Sequence, residues 1–239
     1  TELMKHDDFK SCIANAQYFL GYCYLNGEEV EKDPSEAFLW MNKAAKNDNI
    51  DAMWNIGLLY HDGIGVSKDL SKAYDFLQKA ADKGSSNGAF YLGLMYLDGD
   101  FVKKDEVKAF YWNKKAAESG FTTAELMLGS LYYEQGVGTK QDYRKANEWL
   151  TKAANKGVPQ ALCNLGWTYY LGQGVSKNYP EALRLFSKAA EKNYPDGYNG
   201  IAYCKFYGFG TKKNEDEAIS LIDKAIELSN NDIRYLDTK

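Results

Sequence analysis

Residues 60 to 69, YHDGIGVSKD, bring together side chains that could do chemistry. His61 beside Asp62 suits proton transfer or metal binding, because imidazole changes its charge near neutral pH and is a common metal ligand. Gly63-Ile64-Gly65, followed closely by Ser and Lys, could cradle a phosphate. The same residues also suit a turn between two helices, since glycine readily adopts the left-handed backbone that ends a helix.

Catalytic and metal-binding alternatives find little support elsewhere in the chain. Only two histidines are present, and the second, His6, is far from His61 in sequence. The four cysteines (Cys12, Cys23, Cys163 and Cys204) form no zinc-like spacing, and neither a Gly-x-Ser-x-Gly nucleophile motif nor a complete phosphate-loop motif occurs. We therefore expect a protein that is not an enzyme, with free thiols, no catalytic residues, no metal and no cofactor.

Charge and hydropathy exclude further classes of function. The net charge is −4 and Lys and Arg form no long runs, so we expect no nucleic acid partner. The longest apolar run, residues 89–97, is too short to span a bilayer, and we expect no membrane insertion. Unpaired cysteines favour a reducing compartment and so a cytoplasmic protein, although a chain that starts at Thr1 leaves a periplasmic or secreted location open.

An internal repeat organises the chain. Two series of small residues recur every 36 or 37 residues, and both shift by one residue in the fourth unit. A fixed period of this length is typical of helical repeat proteins. The series are Gly21, Gly57, Gly93, Gly129 and Gly166, and Ala37, Ala73, Ala109, Ala146, Ala182 and Ala218.

Each repeat is predicted to form two helices. The first carries a small residue, the periodic glycine and an aromatic at spacings that place them on one helical face. The second begins after an Asp or Asn that can cap its N-terminus. Glycine pairs like that at residues 63 and 65 recur at 136 and 138, 172 and 174, and 208 and 210, which favours a turn needed in every repeat. The predicted caps are Asp33, Asp69, Asp105, Asp142, Asn178 and Asn214.

The motifs LG-x-x-Y, G-x-G-V-x-x-D and A-x-x-W-x-x-K-A-A resemble those of Sel1-like repeats, a family related to tetratricopeptide repeats. Tetratricopeptide repeats themselves have a period of 34 and lack the Gly-x-Gly turn. The resemblance implies an all-α fold, a right-handed α/α solenoid of about six helix-turn-helix repeats. We place repeats at about 14–49, 50–85, 86–121, 122–158, 159–194 and 195–228. Residues 1–13 then form an N-terminal segment, expected to end a preceding helix or repeat, and residues 229–239 a C-terminal tail.

The resemblance also implies that the first helices line a concave, protein-binding face. Counted from the periodic glycine as zero, positions −2, +1 and +4 adjoin the core positions and are rich in aromatics. Asparagine amides can both donate to and accept from a peptide backbone. The candidate partner-binding residues are Tyr22, Asn55, His61, Tyr91, Tyr133, Asn164, Trp167, Tyr170 and Tyr203.

These observations predict an interaction scaffold or adaptor, a monomer that binds a protein or peptide ligand on the concave face. Two alternatives stay open: a repeat array within a larger protein, and an enzyme acting on a cell-wall or small-molecule substrate. The second would need a convergent acid/base set, which the sequence does not display.

Overall fold

The computed structural model describes residues 2–134 and 137–230, and the side chains of residues 9–134 and 137–229. His6 (its side chain), Gly136 and the tail from residue 231 lie outside this description. The described residues form twelve α-helices and no strand, which confirms the all-α fold class. The helices are α1 Glu2–Asn26, α2 Pro34–Lys46, α3 Ile50–Asp62, α4 Leu70–Asp82, α5 Ser86–Asp98, α6 Glu106–Glu118, α7 Thr122–Tyr133, α8 Tyr143–Asn155, α9 Pro159–Leu171, α10 Tyr179–Ala190, α11 Pro195–Tyr207 and α12 Glu215–Asn230.

The chain divides into two compact units, unit 1 over Thr1–Phe121 and unit 2 over Thr122–Lys239. In unit 1, α1 packs on α2, α3 on α4 and α5 on α6, and each pair packs on the next through α2 with α3 and α4 with α5. Unit 2 repeats this arrangement from α7 to α12. The odd-numbered helices are called first helices below and the even-numbered ones second helices.

Small residues at the repeat period let the two helices of a pair approach closely. The six periodic alanines are almost completely buried. At Gly57 an added Cβ would lie 2.7 Å from Cγ of Leu77, closer than a real Cβ contact. The glycine lowers helix propensity by about 1 kcal/mol relative to alanine, and the packing of α3 on α4 explains why it is nevertheless present.

The glycine pair at residues 63 and 65 forms a helix end and a close backbone contact. Gly63 has φ 74° and its N–H donates to the Leu59 carbonyl at 2.9 Å, which ends α3. Gly65 has φ 67°, and a Cβ there would lie 1.9 Å from the carbonyl oxygen of Pro34 at the start of α2. The Gly-x-Gly motif is therefore a turn that packs on the preceding repeat.

The second helices begin at the predicted Asx caps. Asp69 accepts from the Lys72 N–H at 3.0 Å, and the other five caps accept first-turn N–H groups in the same way. The pKa of the Asp69 carboxyl lies below its ordinary value because backbone N–H groups donate hydrogen bonds to it, and the largest effect is that of the Lys72 N–H. All six cap predictions are confirmed.

Candidate functional site

Three of the predicted residues line a single cleft in unit 2. Tyr133 on α7 and Asn164 and Trp167 on α9 surround a cavity of about 330 Å³ with Leu150 of α8 among its lining residues. This volume is at the lower end of the range for ligand pockets. The unit 2 cleft is lined by Ser130, Tyr133, Glu134, Leu150, Asn164, Trp167 and Leu171.

The polar and aromatic groups of the unit 2 cleft differ in how they are held. The Trp167 ring packs on the fully buried Phe186, with 4.9 Å between ring centroids, and the Tyr133 hydroxyl donates to Oε1 of Gln173. The half-buried Asn164 amide has no hydrogen-bond partner within the described part of the chain. A rigid indole and a free amide lie side by side, one suited to apolar contact and the other to a peptide group.

An aromatic cluster continues from Trp167 along the first helices of unit 2. The ring of Tyr203 on α11 lies 5.7 Å from that of Trp167 and 5.5 Å from that of Tyr170. Burial raises the pKa of Tyr170 to about 12, so its hydroxyl stays protonated at neutral pH. Tyr203 and Tyr207, 43% and 51% exposed, extend this cluster to the surface. The predicted residues Trp167, Tyr170 and Tyr203 therefore form one contiguous aromatic surface.

Unit 1 contains a cleft at the equivalent repeat positions. It has a volume of about 250 Å³, and the predicted residues His61 and Tyr91 line it. His61 stands where Tyr133 does in unit 2, Tyr91 where Asn164 does, and Leu77 where Leu150 does. The unit 1 cleft is lined by Leu58, His61, Asp62, Leu77, Tyr91, Leu94, Met95, Asp98 and Asp100.

The His61 ring is placed between two carboxylates. Its Nδ1 lies 2.6 Å from Oδ1 of Asp62, and its Nε2 lies 3.4 Å from Oδ2 of Asp100. Asp100 occupies the middle of the turn after α5, where Ile64 stands one repeat earlier. His61 thus links the end of α3 to the turn of the next repeat.

Two predicted residues line neither cleft and lie outside the aromatic surface formed by Trp167, Tyr170 and Tyr203. The Asn55 amide donates to the Asp51 carbonyl at 2.8 Å and to the Tyr18 hydroxyl at 3.3 Å, so it is engaged within unit 1. Tyr22 on α1 is 41% exposed and lines neither cleft. The two asparagines that the sequence treats alike therefore differ, since one is hydrogen-bonded internally and the other is free.

Among the described residues, no group of three or more His, Cys, Asp and Glu side chains is placed to hold a metal ion. All four cysteines are free, and burial raises the pKa of Cys163 to about 12 and that of Cys204 to about 11, which keeps both thiols protonated and weakly nucleophilic. None of the described helices has the length and apolar character needed to cross a bilayer.

Sequence reasoning missed the rim of both clefts. Asp62, Asp98, Glu134 and Leu171 all stand five residues after the periodic glycine. Positions +1 and +5 are four residues apart and share a helical face, so extending the +1 position by one turn would have found them.

Solved structures similar to this chain share its fold. A protective antigen of uropathogenic Escherichia coli with an SLR fold matches 93% of the chain at 32% identity with a TM-score of 0.84, and the chain spans 48% of the length of that protein. A Sel1 repeat protein from Oxalobacter formigenes matches 90% of the chain at 32% identity with a TM-score of 0.80, over 87% of its own length. The immunity protein Pa5087 from Pseudomonas aeruginosa matches 93% of the chain at 25% identity with a TM-score of 0.53.

Comparison with curated protein sequences gave no match. The model of the Sel1 repeat family matches the chain six times in succession, at residues 14–49, 50–85, 86–121, 122–158, 159–194 and 195–230. Together with the repeat motifs and the helix pairs, these matches show that the chain belongs to the Sel1 repeat family.

Proposed function

We propose that this protein is an interaction scaffold that binds a protein or peptide ligand at the unit 2 cleft and the aromatic surface beside it. Sel1 repeat proteins are generally protein-interaction scaffolds, and the family is typically non-catalytic. The observation that carries the proposal is the free, half-buried Asn164 amide next to the rigid Trp167 indole in a cleft of about 330 Å³.

The two side chains would divide the work of binding. The Asn164 amide can donate to the carbonyl and accept from the N–H of the same residue of an extended segment, because these two groups point to the same side of the strand, and this pairing fixes the position of the bound segment. Trp167 and the exposed Tyr203 supply apolar area with little loss of side-chain entropy. Trp and Tyr anchors in well-packed surroundings are typical hot spots of protein interfaces.

Affinity purification with mass spectrometry tests this proposal. The baits are the wild-type chain, the double variant Asn164→Ala/Trp167→Ala, and Trp149→Ala as a matched control. Trp149 lies on the second helix α8, where the Nζ of Lys152 is 3.6 Å from the centroid of its ring, and it lines neither cleft. We expect one partner to be recovered with the wild type and the control but not with the double variant.

Folding of each bait is checked by its circular dichroism melt. Because the Trp167 ring packs on Phe186, we expect the double variant to melt at a lower temperature than the wild type but to remain folded at the temperature of the purification. Equal recovery of every captured protein by all three baits would show that the unit 2 cleft is not the binding site.

A further inference from the structure

In the four central repeats, positive charge is segregated between the two kinds of helix. The first helices α3, α5, α7 and α9 contain no Lys or Arg. The second helices α4, α6, α8 and α10 contain two, three, three and two, respectively. These four first helices therefore present no Lys or Arg to a partner, whereas α1 and α11 carry lysines, among them Lys10 and Lys205.

Both clefts combine an apolar floor with a carboxylate at the rim. In unit 1 the floor includes Leu77 and Leu94, and Asp62 and Asp98 stand at position +5 of α3 and α5. In unit 2 the floor includes the buried Leu150, and Glu134 stands at the corresponding position after α7. The same construction occurs twice, although the individual residues differ.

Two of the rim carboxylates, Asp98 and Glu134, have no cationic partner among the described residues, whereas Asp62 contacts His61. In unit 1 the only potentially cationic side chain that lines the cleft is His61, and its two ring nitrogens already face Asp62 and Asp100. No Lys or Arg of the described residues pairs with Asp98 or Glu134, and both are exposed. An acidic ligand would meet like charge at both rims, whereas a basic ligand would meet opposite charge.

We propose that each cleft takes one Lys or Arg side chain of a basic protein segment. The methylene stem lies on the apolar floor and the charged head reaches the rim carboxylate, which is how long basic side chains divide between apolar and polar surroundings. In unit 2 the Trp167 ring adds a face on which a guanidinium can stack. This inference rests on the proposed function, and it names the chemistry of the partner.

Matched peptides and matched variants test the inference. The probes are three fluorescein-labelled peptides built from the repeated unit Ala-Leu-X-Ser, with X as Arg, Gln or Glu, and binding to the full chain is followed by fluorescence polarisation. In unit 1 the variant Asp62→Asn/Asp98→Asn is compared with Asp75→Asn/Asp82→Asn on α4, and in unit 2 Glu134→Gln is compared with Glu148→Gln on α8. Each pair removes the same charge, and the control residues are exposed and line neither cleft.

We expect the Arg peptide to bind most tightly. Its affinity should fall about twofold to fivefold for each rim carboxylate removed, which corresponds to the usual strength of an exposed ion pair. The control variants should bind the Arg peptide like the wild type, and the difference should shrink as salt is added.

Three outcomes would overturn the inference. They are equal loss in rim and control variants, binding of the Gln or Glu peptide as tight as that of the Arg peptide, and absence of binding by the Arg peptide. A Gln or Glu peptide that binds tightly and is lost in Trp167→Ala would refute the basic partner but leave the proposed function standing. The proposed function itself is tested separately by the affinity purification.

Discussion

Phe186 determines the local packing behind the candidate site in unit 2. It is fully buried and occupies the slot that Met41 and Leu77 fill in earlier repeats. A Cβ on Gly200 would lie 2.4 Å from its ring, and one on Gly166 would lie 2.6 Å from it. Gly200 stands at position −2, where other repeats carry larger side chains. The missing side chain at this position leaves room for the larger ring of Phe186 in the core.

The variant Gly200→Ala tests this packing. We expect a net loss of about 1–3 kcal/mol in the free energy of unfolding, the usual cost of overpacking a core, despite the better helix propensity of alanine. The measurement is urea denaturation followed by circular dichroism.

The double variant Phe186→Leu/Gly200→Ala serves as the control for this cause. Leucine at position 186 is smaller than phenylalanine and should relieve the clash with the added Cβ at position 200. The double variant should therefore be more stable than the sum of the two single effects predicts. Strict additivity of the two changes would mean that Gly200 and Phe186 do not constrain one another.

At the scale of the element, the two kinds of helix begin differently in unit 2. The second helices α8 and α10 start at Asp142 and Asn178, whose side chains accept backbone N–H groups. The first helices α9 and α11 start after Val158 and Tyr194, which make no such bond; both have proline in the first turn, as does α10. Proline there lacks an N–H that would otherwise need a partner, and its fixed φ suits the helix.

The cap of α10 can be tested without changing charge, because Asn178 is neutral. Its side chain accepts from the Glu181 N–H at 3.1 Å. We expect Asn178→Ala to lower the free energy of unfolding by about 1 kcal/mol, a typical cost of losing an N-cap. Asn178→Ser keeps a neutral acceptor and should remain close to the wild type in the same denaturation experiment; equal losses in both variants would show that the hydrogen bond is not what stabilises the helix.

At the scale of the whole molecule, repetition explains what the sequence could predict. The periodic alanines, the Asx caps and the glycine turns each occur several times, so the role of each could be predicted from its spacing alone. His61 shows the limit, because its contacts with Asp62 and Asp100 depend on a turn from the next repeat. The difference between Asn55 and Asn164 was equally invisible, since only neighbouring helices decide which amide finds a partner.

The division of roles between helices follows from the same repetition. Some second-helix lysines lie over aromatic rings of their own helix, as Lys43 does over Trp40 at 3.8 Å and Lys152 over Trp149 at 3.6 Å. Others lie over a ring of the first helix, as Lys72 does over Tyr60 at 5.2 Å. Trp167 on the first helix α9 has no lysine over it among the described residues and lines the unit 2 cleft instead. Two tryptophans of one unit therefore differ in surroundings, which makes them a matched pair for measuring where a partner binds.

The most direct test is the dissociation constant of the purified partner for the wild type, Trp167→Ala and Trp149→Ala, measured by isothermal titration calorimetry. If the unit 2 cleft is the binding site, Trp167→Ala raises the dissociation constant by roughly 30-fold, the equivalent of a hot-spot loss of about 2 kcal/mol, and Trp149→Ala leaves it nearly unchanged. A dissociation constant for Trp167→Ala equal to that of the wild type, or an equal weakening by both substitutions, would contradict the assignment of partner binding to the first helices.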